Sequence, residues 1–317
     1  MDDGSADDTT KVVGSIIDEH NNCNIRLLCQ GINKGSSATR NLGIKSSKGK
    51  YITFVDADDT LKDDYIASLI SLVNKSPDCD IYITGVETYN ENGELYEIQR
   101  NENRIIENRI DIISDIVHGR IKLAFPTWCK VIKKFFLIDN NLEFDEDAIC
   151  MDDGNFYSKC YLKVEKVCMS DYVGYQWRRR EGSISARYYT NTSEIADRYR
   201  TNCHQMFEKL PQILRDDQAI QWMNNISRFC FDYAIDHLER SELNKSEKKK
   251  QLINIVDFNL NEDVLATYTG YKKLLLIKLK NKKRYGYYSA LKLLDSCKTF
   301  GIRVIRAIQR RIPSFVK

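Results

Sequence analysis

Aspartates cluster in three short segments of this 317-residue sequence. The chain begins MDDGSADD, has a DADD segment at Asp56–Asp59, and carries a further pair, Asp152 and Asp153, in the stretch CMDDGNFYSK. Alternating carboxylates suit a hard divalent cation such as Mg²⁺ or Mn²⁺, which commonly bridges to a diphosphate. The DADD segment is therefore the first candidate for a metal site, with Asp56 and Asp58 as its ligands.

The elements around the DADD segment support this interpretation. Tyr51–Val55 is an aromatic and β-branched run that predicts a strand ending at Asp56. The carboxyl ends of strands are where open α/β sheets bind ligands. The alternative is that Asp59 caps the next helix while the other two aspartates are merely exposed. The apolar spacing that predicts this helix is formed by Ile66, Leu69, Ile70 and Val73.

The wider pattern is that of an α/β protein. Ile25–Cys29 reads as a short buried strand, a helix follows that ends by Gly49, and Cys79–Asn90 reads as another strand before an ENGE hairpin turn. Strands and helices alternate up to about residue 90, which predicts a mostly parallel sheet. A loop, a helix and a strand are predicted between residues 144 and 178, and the chain is helical in pattern beyond about residue 190.

Composition excludes several classes of protein. The sequence is 42% hydrophobic and 10% aromatic, as expected for a globular protein, and it has no apolar run long enough to span a bilayer. The ten cysteines show no CxxC pair or metal-ligand spacing. We therefore predict reduced, mostly buried thiols in a cytoplasmic protein.

Charge is distributed unevenly along the chain. Residues 271–317 contain fourteen Lys and Arg residues and a single acidic residue, Asp295. Within this region, residues 299–317 combine an isoleucine stripe at helical spacing with a parallel arginine stripe. Such a helix can lie on an anionic membrane surface, although the isoleucines can equally pack on the rest of the protein. Nucleic acid is the weaker explanation, because no recognition motif accompanies the charge.

The segment NKGSSATRNLGIKSSKGKYITFVDADD resembles the hallmark stretch of family 2 glycosyltransferases over 27 residues in register. The matching positions are Asn33, Gly35, Ala38, Arg40, Asn41, Gly43, Gly49, Tyr51, Phe54, Asp56, Asp58 and Asp59. Two later stretches, CMDDGNFYSK and WRRREGSIS, resemble further motifs of the family and occur in the expected order. Asp152 stands where the family usually has Glu.

The resemblance implies a GT-A fold, a Rossmann-like nucleotide-sugar-binding domain over residues 1–190, followed by a helical region over residues 191–317. It implies metal-dependent sugar transfer with inversion, from a nucleotide-sugar donor (a UDP-sugar is favoured) to a saccharide or lipid-linked saccharide. The expected setting is surface polysaccharide assembly at the inner face of the plasma membrane. The alternatives are an inactive remnant that acts as a donor-binding or interaction subunit, and a transferase that uses a CDP donor to move glycerol phosphate.

The resemblance also suggests roles for single residues. Asp153 is the candidate general base, with a helix N-cap as the alternative, and Asp152 is a tentative acceptor contact. Arg40 either reaches the diphosphate or pairs with the DADD carboxylates, and Arg180 lies in a predicted lid loop. Trp128 either stacks on an acceptor sugar or belongs to the core. The donor-binding set further includes Asn33, Gly35, Asp56, Ala57 and Asp58, and Asp56 can contact the ribose instead of the metal.

The first residues, MDDGS, resemble the family's VDDGS run, which ends the second strand of the nucleotide-binding half. This resemblance makes Asp2 and Asp3 contacts of the base or ribose, with Asp3 preferred for the base, and it makes Gly4 and Ser5 the turn. Met1 then stands where the last apolar residue of that strand is expected. The first strand, the first helix and most of the second strand are absent by this comparison, so we expect weak donor binding and a tendency to aggregate.

Overall fold

The computed structural model describes residues 1–148, 151–179 and 192–240, together with 243–244, 246–248, 251–252, 255, 265–268 and 276. These residues belong to two compact units, one within 1–189 and 198–223, the other within 190–197 and 224–317. Arg180, which is predicted to lie in a lid loop, and the tail over residues 299–317 lie outside the described part. Within the described part, no helix has both the length and the apolarity to cross a bilayer.

The first unit is built on a seven-stranded sheet flanked by helices. Its strands are β1 (Tyr51–Ile52), β2 (Thr60–Leu61), β3 (Ile81–Tyr89), β4 (Leu95–Gln99), β5 (Arg104–Ile106), β6 (Lys130–Lys133) and β7 (Val167–Arg178). The helices of the described chain are α1 (Thr9–Glu19), α2 (Ser36–Ser46), α3 (Tyr65–Lys75), α4 (Arg109–Val117), α5 (Lys134–Asp139), α6 (Asp152–Tyr161), α7 (Thr192–Lys209) and α8 (Asp217–Arg240). The predicted α/β class is confirmed.

Strand β3 lies at the centre of the sheet, and eight of its nine residues are buried. The spatial order is β1-β6-β3-β7-β2, with β4 also paired to β3 and β5 also paired to β7. The prediction of a mostly parallel sheet is wrong for the described strands, among which β3 and β7 form the one parallel pair. The β3–β4 connection shows one physical reason, since a turn over Asn90–Glu94 is too short for the crossover that parallel strands need.

One local prediction also fails. Ile25–Cys29 is not a buried strand: it has one bridge, from Cys29 to Asp2, and Ile25 is exposed. A strand is stabilised by a ladder of hydrogen bonds, and a single neighbouring residue does not supply one. The helix predicted from the spacing of Ile66, Leu69, Ile70 and Val73 is present as α3, which buries Leu69 and Val73 and leaves Ile66 and Ile70 exposed.

The cysteine prediction is confirmed for the described residues. Six of the eight described cysteines are buried and all eight are free thiols. The exposed pair is Cys23 and Cys29.

Candidate active site

The first turn of the chain is held by its own side chains. The Asp2 carboxylate is buried and accepts hydrogen bonds from the backbone N–H groups of Gly4 and Ser5, at 3.1 and 3.2 Å. The Ser5 hydroxyl also donates to Asp2, and these bonds lower the pKa of the Asp2 carboxyl. Gly4 has φ +76°, and a Cβ there would lie 2.8 Å from the backbone of Asn33. The turn therefore packs directly against the loop that carries Asn33.

Asp3 connects this turn to the start of α2. Its carboxylate accepts from the N–H groups of Lys34 and Gly35, at 2.7 and 2.8 Å, and from the Gln30 side-chain amide at 2.9 Å. Gly35 is the N-cap of α2 and has φ +91°, which only glycine adopts easily. The structure thus brings Asp2, Asp3 and Gly35 together at one end of α2.

The DADD segment follows the short strand β1 and folds against the end of β7. The Tyr175 hydroxyl accepts from the Asp56 N–H at 3.1 Å and donates to Asp59 at 2.7 Å. The backbone N–H of Arg178 donates to Asp59 at 3.0 Å, and the Arg178 guanidinium donates to the Asp58 carbonyl at 2.9 Å. Asp59 does not cap α3, because the N-cap position is occupied by Asp64. Burial raises the pKa of Asp59 despite the two hydrogen bonds.

The second carboxylate pair lies in the first turn of α6, where the helix dipole favours negative charge. Both oxygens of Asp153 accept hydrogen bonds from Thr127: the backbone N–H reaches Oδ2 at 3.0 Å and the hydroxyl reaches Oδ1. Burial and the neighbouring Asp152 raise the pKa of Asp153 to about 6, although Arg40 and Thr127 oppose the shift. A carboxyl with this pKa is ionised at neutral pH and is a stronger base than an ordinary aspartate.

Arg40 joins the two acidic groups. One guanidinium nitrogen lies 2.5 Å from Asp152 and 3.3 Å from Asp153, and the other lies 3.4 Å from Asp56. Burial lowers the pKa of Arg40, but the three carboxylates outweigh it and the net shift is upward. Of the two roles predicted for Arg40, the structure shows pairing with carboxylates, including the acidic pair on α6.

The residue after Arg40 fixes the loop that leads to α6. The Asn41 side chain donates to the Phe144 carbonyl and accepts from the Phe144 N–H, both at 2.9 Å. Ser37, one turn earlier in α2, donates to the Ala148 carbonyl at 3.1 Å. Helix α2 therefore positions both Arg40 and the approach to Asp152.

Three residues of this site were not predicted from the sequence: Thr127, Tyr175 and Lys130. The Lys130 side chain is fully buried, donates to the Pro126 carbonyl and lies 4.4 Å from the centre of the Tyr157 ring. Burial lowers the pKa of Lys130 to about 7. The sequence does not reveal these three residues, because each contacts a residue that lies far away along the chain. Thr127 contacts Asp153, Tyr175 contacts Asp56, and Lys130 lies over the Tyr157 ring.

Trp128 packs against other aromatic residues. Its ring is stacked on Tyr175 at 5.6 Å and on Trp177 at 5.8 Å between centroids. The Trp128 ring is only partly buried, so it can both pack against the core and contact a ligand. Ala57 is exposed at the tip of the DADD segment.

The carboxylate oxygens of the DADD segment are suitable ligands for a divalent ion of the Mg²⁺ type. No group of three or more potential ligands converges within the described residues. Mg²⁺ is commonly held by one or two carboxylates, with waters and substrate phosphates completing its shell. Asp56 and Asp58 supply two carboxylates of intermediate exposure beside one another. The residues present therefore match an ion that arrives with a diphosphate better than a permanently enclosed metal.

Comparison with known proteins finds similar glycosyltransferases. Residues 1–138 match the profile described as glycosyl transferase family 2. Over 191 residues the chain is 30% identical to the glycosyltransferase GlyG of Streptococcus pneumoniae, covering 58% of this chain and 61% of GlyG. It is 26% identical over 195 residues to the succinoglycan biosynthesis protein ExoO of Rhizobium meliloti, covering 58% of this chain and 53% of ExoO. The chain thus spans less than two thirds of either relative.

The crystal structure of residues 1–349 of Staphylococcus aureus TarS superposes with a TM-score of 0.60 at 19% identity, covering 95% of this chain and 81% of that one. This match confirms the predicted GT-A fold with a helical C-terminal region. The fold is therefore that of TarS, and the matched profile is that of a family of glycosyltransferases. Over residues 1–138 the chain is thus similar to glycosyl transferase family 2.

Proposed function

We propose that this protein transfers a sugar from a nucleotide-sugar donor, a UDP-sugar in the first place, to a hydroxyl group of a saccharide or lipid-linked saccharide, with inversion at the anomeric carbon. The observation that carries the proposal is the position of Arg40 between Asp56 and the pair Asp152 and Asp153. This arrangement sets diphosphate-binding and proton-accepting carboxylates within the reach of one side chain. A TarS structure in complex with UDP-GlcNAc supports the choice of a UDP-sugar.

The described residues suggest how the reaction is divided. Asp2, Asp3 and the start of α2 form the nucleoside end of the donor site, with Asn33 and Gly35 beside them. Asp58 and Asp56 would hold Mn²⁺ or Mg²⁺, which supplies Lewis-acid stabilisation of the departing diphosphate when bound. Asp56 can also contact the ribose.

Asp153 is the base in this proposal. The acceptor oxygen attacks the anomeric carbon, the bond from that carbon to the phosphate oxygen breaks, and the hydroxyl proton passes to Asp153. Oδ2 is the better placed oxygen because it accepts one hydrogen bond, from Thr127 N–H, whereas Oδ1 accepts from both the Thr127 hydroxyl and Arg40. Asp152 holds Arg40 and accepts from Ser36 at 3.0 Å, which leaves it positioned for acceptor contact as well.

The first test is a donor screen. UDP-, GDP- and CDP-linked donors are compared for their ability to raise the unfolding temperature in the presence of Mn²⁺, and for the metal-dependent release of nucleotide. A UDP-sugar should stabilise the protein and release UDP. Stabilisation by a CDP-linked donor alone would favour transfer of a group such as glycerol phosphate. Binding without any release would favour a donor-binding subunit.

The predicted setting is surface polysaccharide assembly at the inner face of the plasma membrane, with residues 299–317 on the anionic lipid surface. Relatives such as ExoO, named for succinoglycan biosynthesis, support the polysaccharide part. Deleting residues 299–317 should abolish sedimentation with anionic liposomes, because the deletion removes the arginine and isoleucine stripes. Equal sedimentation of the shortened and full chains would contradict membrane docking.

A further inference from the structure

All three tryptophans of the chain line a single cavity. Trp128, Trp177 and Trp222 are far apart in the sequence and come from a loop, from β7 and from α8. They meet around a cavity of about 390 Å³ in the first compact unit, which we call the tryptophan cavity. The three rings are packed against the core but are only partly buried. Their convergence leaves aromatic surface in contact with solvent, which packing alone does not require.

The tryptophan cavity combines aromatic surface with a few polar groups. Trp128 and Trp177 are stacked with their planes 21° apart, and the Arg179 guanidinium lies 5.3 Å from the Trp177 ring centre. The remaining polar wall includes Thr88, Glu97, Gln99 and Lys122. Pockets for organic ligands have this composition, with aromatic walls and a small number of polar groups that fix orientation.

This composition matches the chemistry of a pyranose ring. The axial C–H groups of a pyranose form an apolar face that packs on an indole ring, while its equatorial hydroxyls both donate and accept hydrogen bonds. Glu97 can accept from hydroxyl groups, Lys122 and Arg179 can donate to them, and Gln99 can do both. The volume is at the lower end of the range for small-molecule pockets, which suits one or two sugar units.

The tryptophan cavity lies beside the candidate base. Its wall includes Pro126 and Trp128, and the residue between them, Thr127, donates both of its hydrogen bonds to Asp153. Trp128 is also stacked on Tyr175, which contacts the DADD segment. A saccharide in the cavity would therefore adjoin the site where an acceptor hydroxyl loses its proton.

We propose that the tryptophan cavity is a subsite for a neutral pyranose unit of the acceptor saccharide. The role of the bound saccharide as an acceptor rests on the proposed glycosyl transfer, but its binding can be measured independently of transfer. The cavity contributes affinity and orientation rather than chemistry. It binds the acceptor through ring stacking on Trp177 and Trp222 and through hydroxyl contacts with Glu97.

The cavity carries its own reporter, because the chain has no tryptophan elsewhere. Intrinsic tryptophan fluorescence is recorded while cellotetraose, maltotetraose or chitotetraose is added at millimolar concentrations, the weak end of specific binding. We expect a saturable change with at least one of these neutral saccharides. Substituting Glu97→Gln should weaken that response at least about tenfold, since a carboxylate bound to hydroxyls is replaced by a neutral amide. Trp177→Leu should weaken it as well.

Glu91→Gln is the matched control, because Glu91 is exposed and does not line the cavity. Glu97 is exposed on β4, so its substitution should leave the fold intact even if Trp177→Leu does not. The absence of a saturable change with all three saccharides would overturn the proposal. An equal response of the Glu97→Gln and Glu91→Gln variants would also overturn it. So would a response to a glycerol-phosphate polymer with none to the neutral saccharides, because it would assign Lys122 and Arg179 to phosphate.

Saccharide binding in the tryptophan cavity and glycosyl transfer are measured by separate experiments. Release of UDP from a UDP-sugar without any saccharide response would retain glycosyl transfer and remove the cavity from it. A saccharide response in a protein that releases no nucleotide would support the subsite while contradicting the catalytic role.

Discussion

The two acidic groups of the site, the DADD segment and the pair on α6, both consist of aspartates, but their surroundings differ. Asp153 sits in the first turn of α6, takes two hydrogen bonds from Thr127, and has its pKa raised to about 6. Asp56 lies in a loop after β1, its side chain is 38% exposed against 30% for Asp153, and it forms an ion pair with Arg40 at 3.4 Å. In the proposed reaction the first environment suits a proton acceptor, and the second suits a cation that arrives with a diphosphate.

The difference shows how one residue type can serve two roles. Burial makes ionisation of Asp153 costly, so proton uptake becomes favourable within the neutral range. The DADD aspartates retain solvent contact, so a metal and its phosphates can complete their shell there. Arg40 touches both groups and keeps them at a fixed separation.

The largest effect is expected from Asp58→Ala. Removing a carboxylate that holds the divalent ion should lower UDP release from a UDP-sugar by about 1,000-fold or more, since Lewis-acid stabilisation contributes several kcal/mol. Asp63→Ala is the matched control on an exposed neighbouring aspartate. Undiminished release by Asp58→Ala would remove this residue from the metal site.

Asp153→Asn should affect the second acidic group, the pair on α6, and thus proton transfer. Loss of a general base should lower transfer by about 100- to 10,000-fold while the affinity for the donor stays the same. Turnover and donor affinity are measured separately, with Asp171→Asn as a control at an exposed position. Weakened donor binding in Asp153→Asn would argue that Asp153 belongs to the donor site instead.

Arg40→Lys should have an intermediate effect. The lysine retains the charge, but its compact ammonium group cannot contact three carboxylates as the planar guanidinium does. Turnover should therefore fall by about 10- to 100-fold. Arg26→Lys is a suitable control, because Arg26 is exposed and donates a hydrogen bond to the Ser46 carbonyl. If Arg40→Lys released UDP at the rate of the Arg26→Lys control, the bridge between the acidic groups would be unnecessary.

Thr127→Val should have the smallest effect, and one that depends on pH. The Thr127 hydroxyl favours the ionised form of Asp153, so its removal should raise the pKa of Asp153 above about 6. Turnover should then fall about three- to tenfold at pH 6 and remain close to normal at pH 8, where the base is ionised in both proteins. Thr127→Ser keeps the hydroxyl and should retain the normal pH profile. A pH-independent loss in Thr127→Val would indicate a purely structural role.

Much of the fold and the position of the site could be predicted from local patterns. The strand Ile81–Tyr89, the helix α3, the helix α6 with Asp152 in its first turn, and the loop that carries Asp56–Asp59 all have short-range signals. Thr127 could not be predicted as a partner of Asp153, because the two are 26 residues apart and the contact depends on how a loop packs on α6. Tyr175 is similarly 119 residues from the Asp56 backbone that it binds.

The failed predictions have a related cause. A run such as Ile25–Cys29 has strand-like composition, but pairing is decided by what lies beside it, and here that is Asp2 alone. The direction of strand pairing depends on connections, which an alternating pattern of strands and helices does not determine. The helix α3 itself is as predicted, but which face it buries is set by its packing, and Ile66 and Ile70 are exposed.

The central claim is that the two acidic groups have separate roles, one in donor binding and one in proton transfer. It is tested most directly by calorimetric titration of UDP, with and without Mn²⁺, into the unmodified protein and the Asp58→Ala and Asp153→Asn variants. We predict that Mn²⁺ strengthens UDP binding in the unmodified protein and in Asp153→Asn to the same extent, and has no effect on binding in Asp58→Ala. Equal loss of the Mn²⁺ effect in both variants would contradict the division of roles.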